Sequence, residues 1–73
     1  MLYFTKYAEN KFTTLNKHKV YFTREQIEDA VNVPDQTSKK SIYQISHKEN
    51  IGVIYTKESD TVKIITFYPI KNV

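Results

Sequence analysis

The sequence predicts an α+β fold in which two N-terminal helices pack on an antiparallel sheet of three to four strands. Two observations predict it. Apolar residues recur at helical spacing in the first half of the chain, and they alternate with polar residues from Ser41 onward. The chain has 73 residues with one glycine and two prolines, which leaves little room for a linker. One α+β domain over residues 1–73 is therefore expected.

The first helix is predicted over residues 4–16. Its apolar stripe consists of Phe4, Ala8, Phe12 and Leu15, at spacings of four, four and three residues. This period places the four side chains on one face of a helix.

The second helix has the clearest start signal. Thr23 lies three residues before Gln26, which is the spacing of a capping box, and Phe22 and Ile27 occupy the positions of a hydrophobic staple. Pro34 ends the helix, because the residue before a proline disfavours the helical conformation. Residues 34–40, PDQTSKK, are expected to form an exposed loop.

Three strands follow, joined by connectors of hairpin length, so they are expected to form an antiparallel meander. They cover residues 41–47, 51–56 and 61–68. Pro69 ends the last strand, because proline cannot donate to a central ladder. The segment Lys19 to Phe22 is either a further edge strand or an extended connection.

The alternation also assigns strand faces. The sets expected to share a face are Tyr43, Ile45 and His47; Ile51, Val53 and Tyr55; and Val62, Ile64, Thr66 and Tyr68. Among these, Tyr43, Tyr55 and Tyr68 are expected to meet on one face as a tyrosine row. Gly52 lies in mid-strand, where it is expected to mark a bulge or a close approach of helix backbone.

Composition excludes several functional classes. The absence of cysteine removes disulfides and thiolate metal sites. No apolar run approaches the roughly 20 residues that span a bilayer, and no signal-peptide layout opens the chain, so a cytoplasmic protein without a membrane partner is expected. No phosphate-binding loop or dinucleotide motif is present, and no cofactor is expected. The formal charge of +3 weakly favours an anionic partner.

Three segments carry a resemblance to a known family. They are FTKYAENKF (4–12), VYFTREQIEDAVNVPD (20–35) and GVIYTKESDTVKIITFYP (52–69). Together they resemble a family of small stand-alone proteins that is grouped by fold with the RelE/ParE and barnase-like ribonuclease toxins. The resemblance covers roughly residues 3–69, and its specific parts are the order of elements and the closing ITFYP strand.

The resemblance implies a RelE/barnase-like fold and ribonuclease activity, but the chain departs from the family pattern at two places. The family places a His-Ala pair in the first helix, where this chain has Tyr7-Ala8, and a phenol is a weak base at neutral pH. After the YP pair, Lys71 keeps the basic residue of the pattern, but no aromatic residue follows it. The resemblance therefore favours the fold more than the nuclease activity.

Metal-independent RNA cleavage needs a base, an acid and a cation near the phosphate. Histidine can donate or accept a proton near neutral pH, so His47 and His18 are the candidates for acid and base. Arg24 opens the second helix and is the candidate phosphate ligand, with Tyr68 as a supporting hydroxyl. The alternative interpretation is that both histidines are exposed loop residues and that Arg24 pairs with Glu28 one helical turn away.

The candidate RNA contacts are lysines in connecting segments and tyrosines on strands, because lysines bind phosphates and a tyrosine row can stack bases. They are Lys17, Lys19, Lys39, Lys40, Tyr43 and Tyr55. The alternative is that the lysines serve solubility and the tyrosines line the core. No metal site is expected, since the two histidines are 29 residues apart without clustered carboxylates.

Two functions of different classes follow. The first is a small RNA-interacting protein, in its sharpest form a toxin-type, metal-independent endoribonuclease. The second is a non-catalytic module of the same fold that acts through a protein partner, such as an antitoxin-like protein, or through a homodimer.

Overall fold

A computed structural model describes residues 2–70 and confirms the α+β class with two helices. In chain order the elements are β1 (Leu2–Phe4), α1 (Lys6–Lys17), α2 (Arg24–Asn32), β2 (Gln36–Lys40), β3 (Tyr43–Lys48), β4 (Ile51–Glu58) and β5 (Thr61–Pro69). Neither helix of this described part has the length and apolar character needed to cross a membrane.

The sheet has five strands in the order β1-β5-β4-β3-β2 and is mixed. Strands β3, β4 and β5 form the predicted antiparallel meander, and β2 extends it at one edge. At the other edge β1 runs parallel to β5. The prediction of a purely antiparallel sheet with three to four strands is therefore wrong. Residues 19–22 are not a strand and belong to the connection between the helices.

Strand β2 replaces most of the loop that was predicted over residues 34–40. It pairs with β3 from Gln36 opposite His47 to Lys40 opposite Tyr43. All five of its residues are exposed, as the loop prediction required. No apolar alternation marks such a strand, because neither of its faces is buried. Its pairing partner β3 determines its conformation.

Helix α1 begins later than predicted, because Thr5 caps it and Phe4 lies in β1. The Thr5 hydroxyl accepts a hydrogen bond from the Ala8 amide at 3.2 Å and donates one to the Ile64 carbonyl at 2.9 Å. Phe4 still packs on Phe12, with ring centroids 5.8 Å apart. The helical spacing thus identified a true contact but assigned Phe4 to the wrong element.

The capping box at the start of α2 is confirmed. The backbone N–H of Gln26 donates to the Thr23 hydroxyl at 3.2 Å, and the backbone N–H of Thr23 donates to the side-chain oxygen of Gln26 at 2.8 Å. Two backbone N–H groups that lack a partner within the helix are satisfied in this way.

Thr23→Ala is expected to lower the free energy of unfolding by about 1 kcal/mol, because the Gln26 amide loses its acceptor. Urea denaturation followed by circular dichroism measures this loss. The matched control is Thr14→Ala in α1, where the hydroxyl only bonds back to the Asn10 carbonyl on an exposed surface. That control should be as stable as the wild type or more so. Equal losses in the two variants would contradict the capping role of Thr23.

The core lies between the two helices and one face of the sheet. Its buried apolar residues are Ala8 and Leu15 of α1, Ile27 and Ala30 of α2, Ile51, Val53 and Tyr55 of β4, and Ile64 and Phe67 of β5. The ring of Phe12 in α1 packs against that of Phe67, with centroids 4.6 Å apart and ring planes tilted by 52°. The helices therefore cover one face of the sheet, and the other face carries the remaining strand residues.

A β-bulge in β5 changes the face of its last residues. Ile54 pairs with Thr66, but its neighbour Tyr55 pairs with Ile64, so Ile65 is an extra residue. As a result Ile64 and Phe67 are both buried in the same core. The predicted set of Val62, Ile64, Thr66 and Tyr68 on one face is therefore wrong beyond Ile64.

Candidate nucleic-acid interface on the open face of the sheet

The face of the sheet that the helices do not cover is called the open face here. Cross-strand pairing places its central residues in rows, because paired residues point to the same side. The rows are Gln36, His47, Gly52 and Tyr68; Ser38, Ile45, Ile54 and Thr66; and Thr56, Lys63 and Tyr3, with Tyr43 and Lys40 paired at the β2–β3 end.

One row brings two of the predicted catalytic residues together. His47 on β3 and Tyr68 on β5 both pair with Gly52 on the strand between them. The Tyr68 hydroxyl and the His47 Nε2 atom are 3.2 Å apart, and the two rings meet edge to face at 84°. Both side chains are partly buried, so the hydrogen bond lies at the surface of the open face.

Gly52 makes this arrangement possible. A Cβ atom at position 52 would lie 2.4 Å from Cζ of Tyr68, far inside van der Waals contact. The tyrosine ring therefore crosses β4 in the space that a side chain would occupy. The predicted reasons for this glycine, a bulge or an approaching helix backbone, are both wrong: the bulge is at Ile65, and the close neighbour is a side chain.

Tyr43 is the second aromatic residue of the open face. It is 41% exposed and lies at the start of β3, at the opposite end of that strand from His47. Between them are the partly buried side chains of Ile45 and Ile54, which pair across β3 and β4. The open face thus has an apolar centre with aromatic and polar groups at both ends.

The charged groups of the open face lie near its Tyr43 end. Lys40 pairs with Tyr43 on the exposed edge strand, and Lys63 pairs with Thr56. Lys63 also lies 3.9 Å from a carboxylate oxygen of Glu58, at the β4–β5 turn. That ion pair joins two largely exposed side chains, so it contributes little to stability and Lys63 can exchange it for another anion.

Tyr55 does not belong to the predicted tyrosine row. It pairs with Gln44, the residue after Tyr43, so it points to the face opposite Tyr43. There it is buried on the helix side of the sheet. Its hydroxyl accepts a hydrogen bond from the Ser46 hydroxyl at 3.3 Å and donates one to the Gln44 side-chain oxygen at 3.2 Å. Tyr55 therefore satisfies the buried Ser46 and lines the core, which was the alternative interpretation.

Arg24 lies in the helix layer, away from His47 and Tyr68. Its guanidinium forms an ion pair with Glu9 of α1. The same group lies over the rings of Phe4 and Phe12, at 4.9 and 5.5 Å from their centroids. These contacts tie α2 to α1, and Glu9 takes the place of Glu28 as the partner of Arg24.

His18 and its neighbours form a separate basic segment at the end of α1. The His18 amide bonds to the Leu15 carbonyl at 2.9 Å, and its side chain is exposed between Lys17 and Lys19. Because α1 packs on the helix side of the sheet, this segment does not reach the open face. Lys39 also lies on the helix side of the sheet, because it pairs with Gln44, which pairs with the buried Tyr55.

Of the two residues that the family resemblance singled out, only Tyr7 is among the described residues, and it lies apart from the open face. Tyr7, at the position of the family's histidine, is 65% exposed on α1. Lys71 lies outside the described residues.

Comparison of the chain with protein-family models, curated proteins and solved structures finds no match. The resemblance to the ribonuclease-toxin fold therefore stays a prediction. Within residues 2–70 no three side chains of His, Asp or Glu are grouped so that they could hold a metal ion.

Sequence reasoning missed Tyr3 and Lys63 as members of the open face. Tyr3 pairs with Lys63 only because β1 runs parallel to β5. A strand of three residues is too short to show an alternating pattern. Its parallel partner lies almost at the other end of the chain, so no local pattern in the sequence indicates the pairing.

Proposed function

We propose that the protein binds single-stranded RNA on the open face of its sheet. The observation that carries this proposal is the row of His47, Gly52 and Tyr68 on the face opposite the two helices, with Tyr43 at the other end of β3. Aromatic side chains on an exposed sheet stack unpaired bases, and lysines beside them bind the phosphates.

The spacing of the aromatic groups favours a single strand. Tyr43 and His47 are four residues apart on β3, which corresponds to about 13 Å along an extended strand. Two bases that stack on Tyr43 and His47 therefore belong to different nucleotides and cannot stack on each other. Only unpaired RNA allows its bases to be separated in this way. The partly buried Ile45 and Ile54 between them offer an apolar floor for the intervening sugar or base.

The hydrogen bond between His47 and Tyr68 favours a second candidate, a metal-independent endoribonuclease of the toxin type. In this candidate His47 takes the proton of a ribose 2′-hydroxyl as its oxygen attacks the adjacent phosphorus. The Tyr68 hydroxyl gives its proton to the departing 5′-oxygen, and a 2′,3′-cyclic phosphate is left. Arg24 is held by Glu9 in the helix layer, so this site lacks the predicted cation. Binding is therefore the leading proposal.

The binding proposal is tested with a fluorescent single-stranded RNA by anisotropy at several salt concentrations. Tyr43→Ala is expected to weaken binding about tenfold, because a stacked base contributes about 1–3 kcal/mol. The matched control is Tyr21→Ala, which removes a tyrosine that is 69% exposed in the connection between the helices. It should leave the affinity unchanged. Equal effects of the two variants, or binding that does not weaken with salt, would contradict the proposal.

The nuclease candidate is tested by incubation of the same RNA with the protein in EDTA. Cleavage that leaves a 2′,3′-cyclic phosphate and is lost in His47→Ala would support it, with His18→Ala and Arg24→Ala as controls. Cleavage that depends on His18 instead would place the chemistry elsewhere. If RNA is neither bound nor cleaved, the alternative of a protein-interaction module takes precedence.

A further inference from the structure

Strand β2 presents a free edge along its whole length. Among residues 2–70 it is the last strand of the sheet and pairs only with β3, and all five of its residues are exposed. A free edge carries unpaired backbone N–H and C=O groups, which form a template for another strand. The edge at β1 is shorter, with three residues.

The hairpin between β2 and β3 determines which backbone groups are free. Lys40 and Tyr43 flank a two-residue turn, so they form a hydrogen-bonded pair. Such pairs alternate along an antiparallel ladder, which makes Ser38 and Gln36 the next residues that bond to β3. The N–H and C=O groups of Thr37 and Lys39 therefore point outward from the sheet.

We propose that two copies of the chain associate through antiparallel pairing of their β2 strands, with a two-fold axis at Ser38. In this register Thr37 faces the partner's Lys39, and the two residues exchange both of their free backbone hydrogen bonds. The symmetry repeats this exchange on the other side of the axis. Ser38 then faces the partner's Ser38 as a pair without backbone hydrogen bonds.

The side chains of β2 match this register. Each lysine lies opposite an uncharged residue, because Lys39 faces the partner's Thr37 and Lys40 faces the partner's Gln36. Parallel, in-register pairing would place lysine against lysine at two successive positions, which destabilises a ladder. The two lysines therefore disfavour fibril-like stacking but are compatible with a closed antiparallel dimer.

The pairing joins the two sheets into one and places both open faces on the same side, because the two-fold axis is perpendicular to the sheet. Two five-residue strands form a short interface, which places this association among the weak, transient complexes. The association should therefore depend on protein concentration.

Cross-linking tests the register directly, because the natural chain has no cysteine. Pairs without backbone hydrogen bonds have Cα atoms about 4.5 Å apart, within the range that a disulfide bridges. Under mild oxidation Ser38→Cys should form a covalent dimer at least tenfold faster than Gln36→Cys. The control residue lies on the same strand and face, but the register places it about 13 Å from its own copy. Equal rates for the two variants would overturn the proposed axis.

Charge at the axis provides a second test by sedimentation equilibrium. Ser38→Lys and Ser38→Glu should each be monomeric over the concentrations at which the wild type dimerises, because like charges then face each other. An equimolar mixture of the two variants should restore dimers. A wild type that stays monomeric at millimolar concentration, or variants that dimerise as it does, would overturn the proposal.

Discussion

Phe67→Ala is expected to leave the protein largely unfolded at room temperature. Phe67 is fully buried, and its ring packs against Phe12 at 4.6 Å and Phe22 at 6.3 Å. Truncation of such a side chain costs about 3–5 kcal/mol, because transfer energy is lost and a cavity remains. A single core in a domain below about 70–80 residues rarely supplies more than about 3–5 kcal/mol, so the loss removes most of the stability. Loss of the far-ultraviolet dichroism and of the cooperative urea transition measures this result.

Phe67→Leu is the matched control for that substitution. It keeps an apolar side chain in the same cavity, so it should still fold and lose less stability than Phe67→Ala. A cooperative transition in Phe67→Ala that lies within 1 kcal/mol of the wild type would mean that β5 does not connect the sheet to both helices as described.

The elements that the sequence predicts well are those whose signals are local. The capping box of Thr23 and Gln26 depends on residues three positions apart, and the meander depends on alternation within single strands. Strand β1 could not be predicted in this way, because Leu2 meets Val62 only after the whole domain has folded. Strand β2 could not be predicted because both of its faces are exposed to water. Such a strand lacks the alternation of apolar and polar residues that marks a half-buried strand.

Only some residues of the candidate site were predicted, and their arrangement was missed. His47 and Tyr68 were both candidates, but their contact depends on the pairing of each with Gly52 across three strands. The bulge at Ile65 shifts the phase of β5, so alternation alone places Phe67 and Tyr68 on the wrong faces. One inserted residue reverses every later side chain of a strand, and nothing in the local composition of TVKIITFY reveals it.

Gly52→Ala is expected to separate Tyr68 from His47 while the fold stays intact. The added Cβ would lie 2.4 Å from Cζ and 2.8 Å from the hydroxyl oxygen of Tyr68, so one of the two has to move. The atoms in the way are the far end of a partly exposed side chain, and they lie on the face opposite the two helices. Rotation of the ring outward relieves the overlap without a shift of the backbone.

The expected result is a change at the site that is much larger than the change in stability. The hydrogen bond to His47 Nε2 should be lost, and the His47 ring resonances should move in nuclear magnetic resonance spectra, because the Tyr68 ring no longer lies edge-on to the imidazole. The free energy of unfolding should change by about 1 kcal/mol or less, since alanine restricts the unfolded chain more than glycine does and offsets part of the lost contact.

Tyr68→Phe is the matched control, because it removes the hydroxyl and keeps the ring above Gly52. It should abolish the hydrogen bond to His47 but keep the aromatic ring in place for stacking with an RNA base. RNA affinity should therefore fall less in Tyr68→Phe than in Gly52→Ala. If Gly52→Ala instead lost several kcal/mol of stability with unchanged His47 resonances, Tyr68 would be a fixed part of the core rather than of a surface site. The Gly52→Ala variant therefore tests whether Tyr68 only covers Gly52 in the sheet or can also be reached by an RNA base.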